Sequence, residues 1–437
     1  MQNSSILAFP VRADINITCF IWAHEKSRQI NANLIGKMMA TICNDKLVFL
    51  FVVLGFAING AAIAQVKLID KNASALVTEV DVISTDNFNP TVSDKSNANG
   101  VGLKASGQLV ASGEGNLLML SYEGGFERYK LSDSPVLLST DYDFSSYKGT
   151  LLGRIFISNA WYLDTELMHS KEDEKFGFGL SNLRNNVLLA DERTQNQASL
   201  NLLYGNDTSN RSISFKLSSS DIKYADVNAY SSLFNYKQQS FDMNIAFRQS
   251  SLTRWLLSFE ANDDRYESDL RDDSRLYRLL LGVDWRPSGK SKLKALLGAY
   301  QRERDDDETS SGLSWSIDYQ YQARQDVLFT LSSSRTSAVG QSEFASDSVN
   351  SRLAADLSYF YSEQWQVAAN IALDKSEYDD VLVSQVLDEK IGRVRLTLLL
   401  KQHSKVRFDV TARQVSSSDN SVDYQQNEVR LSWRYAF

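Results

Sequence analysis

Three histidines and two cysteines are all that 437 residues offer for acid–base or thiol chemistry. Cys19, Cys43 and His24 precede an apolar run at 47–58, which leaves His169 and His403. His169 stands beside Ser170, Lys171, Glu172, Asp173 and Glu174. A hydrolase needs a nucleophile or activated water, a base and an orienting group within hydrogen-bond reach. One histidine near carboxylates, with no recognisable catalytic spacing, meets that need in composition only and reads as a solvated loop edge. His403 falls in a three-residue turn. Without cysteines downstream, disulfide frameworks, thiol nucleophiles and cysteine-based metal sites fall away. The sequence therefore predicts no catalytic residue, no metal and no cofactor, and the chain does not read as an enzyme.

The charged side chains say more. Toward the C-terminus Arg393, Arg395, Lys401, Lys405, Arg407, Arg413, Arg430 and Arg434 share polar faces with only Asp409 and Glu428. Arg248, Arg254, Arg278, Lys292 and Lys294 do the same earlier. If the segments that carry them close into a ring, these faces line its interior, where charge tunes what passes. Such a lumen would favour anionic solutes. Equally, interior acids such as Glu260, Asp284 and Asp356 could neutralise it. Acids gather in the connections, as in Asp263, Asp264, Glu267, Asp269, Asp272 and Asp273. They suit a solvated acidic face or divalent-ion bridging to anionic lipopolysaccharide, though no EF-hand spacing is present. A net charge of −8 argues against a nucleic-acid partner.

What must position these residues is a period of two. Val429, Leu431, Trp433, Tyr435 and Phe437 share one face; Arg430, Ser432, Arg434 and Ala436 share the other. Val394, Leu396, Leu398 and Leu400 repeat the pattern, as do Phe241, Met243, Ile245 and Phe247. Alternation of this kind is a half-buried strand. About eighteen such segments run from 76 to 437, joined by connections that are short and long in turn. Trp255, Trp285, Trp315, Trp365 and Trp433 lie on apolar faces, mostly near short turns, where a membrane interface would be. The fold expected is all-β: a transmembrane antiparallel up-and-down barrel of 18 strands, or 16 if the first hairpin is peripheral. The connection 170–195 holds Phe176, Phe178, Leu180, Leu183, Val187, Leu188 and Leu189, too apolar for free solvation. It should either fold into the barrel mouth or extend the strands above the membrane.

Ahead of the barrel, residues 38–64 read as a signal peptide ending in Ala62-Ile63-Ala64, with cleavage near Ala64. Residues 1–37 fit no targeting class and read as an upstream extension, with Met38 or Met39 as the start. Residues 65–75 form a periplasmic segment, and the destination is a Gram-negative outer membrane.

The alternating Trp433, Tyr435 and terminal Phe437 resemble the C-terminal signature of bacterial outer-membrane barrels, which implies reading by the barrel-assembly machinery. At the other end, Thr85-Asp86-Asn87-Phe88, a polar loop, Gly100-Val101-Gly102-Leu103-Lys104-Ala105-Ser106-Gly107 and Asp141-Tyr142-Asp143 resemble the putative beta-barrel porin type 2 (EpsL-like) family. That resemblance implies a conduit or accessory in exopolysaccharide or capsule export. Its partners would be outer-membrane lipid and lipopolysaccharide, polysaccharide synthesis and export proteins, and an anionic glycan. Residues alone leave a general diffusion porin, or a structural or adhesive barrel with a plugged lumen, equally open.

Overall fold

In the computed structural model the alternation becomes eighteen antiparallel strands hydrogen-bonded in one closed ring. The structure describes residues 75–437 except 92–94, 114, 133–138, 140, 185, 207, 306–307, 341–346, 380–383, 402 and 419–421. The expected leader at 38–64, the extension 1–37 and residues 65–74 lie outside the described residues.

The first six strands are β1 (Ala75–Thr85), β2 (Ala98–Gly113), β3 (Asn116–Leu131), β4 (Asp141–Ser158), β5 (Trp161–Glu174) and β6 (Asp191–Tyr204). Then follow β7 (Arg211–Tyr224), β8 (Tyr236–Arg248), β9 (Thr253–Tyr266), β10 (Ser274–Ser288), β11 (Ser291–Arg304) and β12 (Thr309–Arg324). The last six are β13 (Val327–Val339), β14 (Asp347–Phe360), β15 (Trp365–Asp379), β16 (Ser384–Lys401), β17 (Ser404–Ser417) and β18 (Tyr424–Ala436). Each pairs with its neighbour in sequence, and β1 closes the ring on β18 with Val77 opposite Ala436 and Thr85 opposite Glu428. The first hairpin is thus part of the wall, and the count is 18 rather than 16.

The apolar faces point outward. On β10, Leu281 is 62% exposed on the outer face while the adjacent inward Leu280 is 3% exposed. Outward apolar positions run from Tyr277 to Trp285 on β10 and from Val394 to Leu400 on β16. Stretches of this length suit the ~9–11 residues of a tilted membrane crossing. Outer aromatics crowd the short-turn end, with Trp161 against Tyr204 at 5.0 Å and Tyr435 against Phe437 at 4.8 Å. Trp315 departs from the expected girdle: it stands mid-strand and donates its indole N–H to Ser333 Oγ at 3.0 Å.

Strands of 11 to 18 residues outrun the apolar band. The excess lies at the loop end, and so the long connections are shorter than expected; Asp263 and Asp264 sit within β9 instead of a loop. Three buried apolar clusters fill the inside of this end. Ile83, Phe88, Tyr129, Phe144, Phe176 and Val187 belong to the first. Tyr378, Leu387, Val415, Val422 and Tyr424 make the second, and Leu180, Ile222, Tyr224 and Phe234 the third. The water-excluded core is therefore in the mouth, above the membrane band.

Candidate functional site

The connection between β5 and β6 reaches all three clusters. Phe176 packs against Phe88 and Phe144, with ring centroids 5.7 and 5.9 Å apart. Gly177, at φ +74°, takes a left-handed turn that glycine tolerates. Its carbonyl accepts from Tyr424 Oη at 3.0 Å on β18. Phe178 lies over the Arg413 guanidinium of β17 at 3.9 Å, a cation–π contact. Leu180 then enters the third cluster and Leu183 packs on the second. Arg184 stacks on Tyr230 and Phe234 of the β7–β8 connection, at 4.0 and 5.0 Å. Finally Asn89 Nδ2 donates to the Val187 carbonyl at 2.8 Å, and Val187 N–H donates to Thr91 Oγ1 at 3.0 Å, fastening the β1–β2 connection. One loop thus crosses the ring from β3–β4 to β17–β18 and to β7–β8. Both alternatives raised for this segment hold at once: β5 extends upward and the loop folds inward.

Glu174, where β5 meets this loop, is its titratable anchor. Outward residues at the same height are Lys171, Asp173 and Glu192, so the group lies above the apolar band. Its carboxylate accepts the Leu180 N–H at 2.9 Å and Tyr224 Oη–H at 3.3 Å. Burial pushes the carboxyl up to about 7; nearby Asp191 and Glu172 add to this, and the Leu180 N–H and Arg193 oppose it. A carboxyl raised in the docked state favours docking fully below its ordinary value of 4.5, and that contribution is lost as pH rises through about 7. Amide exchange at Leu180, corrected for intrinsic rate, should therefore quicken between pH 5 and pH 8. The Glu174→Gln variant should lose that slope; an unchanged or reversed slope would discard the assignment.

The inner wall of β16–β18 and β1–β3 is a lattice of charge pairs. Arg430 Nη1 lies 2.9 Å from both Asp81 Oδ2 and Glu127 Oε1, and its Nε lies 3.1 Å from Glu428. Lys104 reaches the same two acids at 2.9 and 3.2 Å. Lys175 descends from the loop to Glu127. Arg407 pairs with Glu79, Arg395 with Asp409 at 2.6 Å, and Arg413 with Glu389. Arg393 donates to Thr411 Oγ1 at 3.2 Å. Lys405 and Arg434 face each other, and among the described residues neither has a carboxylate at ion-pair distance. Lys401 follows a bulge at the end of β16, and its side chain lies outside the described part of the structure. Sequence reasoning left three acids of this lattice unnamed and placed a fourth, Glu389, in a loop. Glu79, Asp81 and Glu127 come from the far end of the chain, and Glu389 lies on β16 before its expected start. Elsewhere Glu260 holds Arg278, and Asp284 holds Arg286 at 3.2 Å, while Asp356 accepts from Asn370.

The remaining singled-out residues are scattered. His169 is on the outer face of β5, between Tyr147 Oη at 3.0 Å and Asn196 Oδ1 at 2.7 Å. His403 is exposed in the β16–β17 turn. Trp433, Tyr435 and Phe437 form a ring-to-ring row, and Phe437 N–H donates to the Leu76 carbonyl at 2.8 Å across the closing seam. No grouping of three metal-ligating side chains occurs among the described residues.

No protein-family profile matches the chain, and no curated protein does. Solved structures do. Pseudomonas aeruginosa OccK7 (OpdD) is 13% identical over 83% of this chain and 98% of its own, with a TM-score of 0.47. Pseudomonas aeruginosa OpdK with vanillate is 12% identical over 84% and 99%, with a TM-score of 0.43. The FrpB iron transporter from Neisseria meningitidis is 10% identical over 84% and 82%, also at 0.43. At this level of likeness they say nothing about what this chain carries.

Proposed function

We propose that this chain is an outer-membrane barrel acting as a porin-like conduit for small polar solutes, with the short-turn end periplasmic and the loop end extracellular. One observation carries the reading: a closed ring is apolar outside and charged inside, which suits a lipid-embedded wall around an aqueous path. Lipid, lipopolysaccharide and the barrel-assembly machinery are the partners this reading requires, with Trp433, Tyr435 and Phe437 as the assembly signal.

General diffusion is favoured over polysaccharide export because the residues behind the export resemblance have packing duties. Phe88 is buried among Tyr129, Tyr142 and Phe176. A Cβ on Gly100 would come within 2.7 Å of the Tyr129 ring. These residues serve the mouth core and need no glycan to explain them. In planar bilayers the purified barrel should give discrete ion-conducting steps. Silence from both the native barrel and a variant lacking the mouth loop would instead identify a plugged structural barrel.

A further inference from the structure

Below the mouth core, at the short-turn end, the inner wall sets bases opposite bases. Lys405 on β17 is directly opposite Arg434 on β18, and Arg248 on β8 is directly opposite Arg254 on β9. Like charges in register destabilise a strand pair. Glu79 is opposite Arg434 on β1 yet turns to Arg407, and Asp409 is taken by Arg395. Among the described residues, Lys405, Arg407 and Arg434 are left with Glu79 as their one acid. Among the described residues the buried Nε–H of Arg407 also has no hydrogen-bond partner. Three cationic donors around one carboxylate form a place short of negative charge.

We propose that Lys405, Arg434 and Arg407 bind the phosphate or carboxylate group of a soluble anion at the short-turn mouth. Two oxygens on one ligand atom can bridge the Lys405–Arg434 pair and turn its repulsion into two charge-assisted hydrogen bonds. Phosphate is also carried by lipid headgroups; the position on the inner wall favours the soluble source. The orientation under the proposed function decides only that the periplasm supplies the anion. Binding itself does not depend on conduction.

The test is calorimetric titration of the barrel, in an uncharged detergent at low salt, with inorganic pyrophosphate. The native barrel should bind, with affinity falling as salt rises. The Lys405→Gln/Arg434→Gln double variant should bind on the order of tenfold more weakly or not at all, whereas Lys130→Gln, an outer-face charge loss, should bind as the native does. Arg434→Glu should abolish binding, since it replaces a cationic donor of the site by an acid. Short-chain phosphatidylglycerol in the micelle should not compete; competition would assign the site to lipid. Absence of pyrophosphate binding by the native barrel, or equal binding by the double variant, overturns the proposal. Either result leaves bilayer conductance, and so the conduit reading, to stand or fall separately.

Discussion

Replacing Arg302 by methionine should cost the barrel about 3–5 kcal/mol, the usual penalty for stranding one partner of a buried pair. Its side chain is 1% exposed and that of Asp264 0%, with Nη1 and Oδ2 3.1 Å apart. Arg302 also donates to Ser274 Oγ at 2.7 Å and to Ser337 Oγ at 2.8 Å, so it ties β9, β10, β11 and β13 together inside the loop end. Without it, Asp264 keeps among the described residues the Gln238 amide, donating at 2.7 Å, in place of a neutralising charge. Pairing Arg302→Met with Asp264→Asn should recover most of the loss, because no buried charge is then stranded and Asn still accepts from Gln238. Urea midpoints of the heat-modifiable band measure both. If the double variant is no better than the single, Arg302 acts through packing and not through the pair.

Removing residues 176–189 and joining the ends with a glycine–serine linker should raise single-channel conductance several-fold. This segment touches all three apolar clusters, so its loss clears the mouth without removing any strand. The strands keep their full ladder of hydrogen bonds, and heat-modifiable migration should persist. Conductance equal to that of the native barrel would mean that the narrowest point lies elsewhere on the inner wall.

How much of this was legible depended on what each face meets. Within the membrane band the outer face is apolar and the inner face polar, so period two is written in the residues; all eighteen strands were found from segments such as Phe241–Phe247. Above the band the outer face meets water and the inner face meets loops. There the code fades: β6 opens Asp191-Glu192-Arg193-Thr194-Gln195, and sequence reading began the strand five residues late. The same blurring hid Glu389 and with it the partner of Arg413. The basic faces were legible as faces, yet their neutralisation was not. Arg407 meets Glu79 and Arg430 meets Asp81 only because the ring closes β18 onto β1, and no local pattern foretells which charges a closure brings together. The Phe176–Leu189 segment was marked as unusual by its apolar content, but its three docking places belong to strands scattered over the whole chain.

The siting of the aromatic core has a thermal meaning. Large heat-capacity changes come from moving apolar surface between water and a dry interior. The outer band exchanges one hydrocarbon surrounding for another and contributes little of this kind. Phe88, Phe176, Leu180 and Val422 are dried by protein alone. In calorimetric terms the mouth is a small water-soluble domain mounted on a stem dissolved in lipid, and the two obey different temperature laws. Since hydrophobic cohesion against water weakens on cooling, cold should loosen the mouth while leaving the stem untouched.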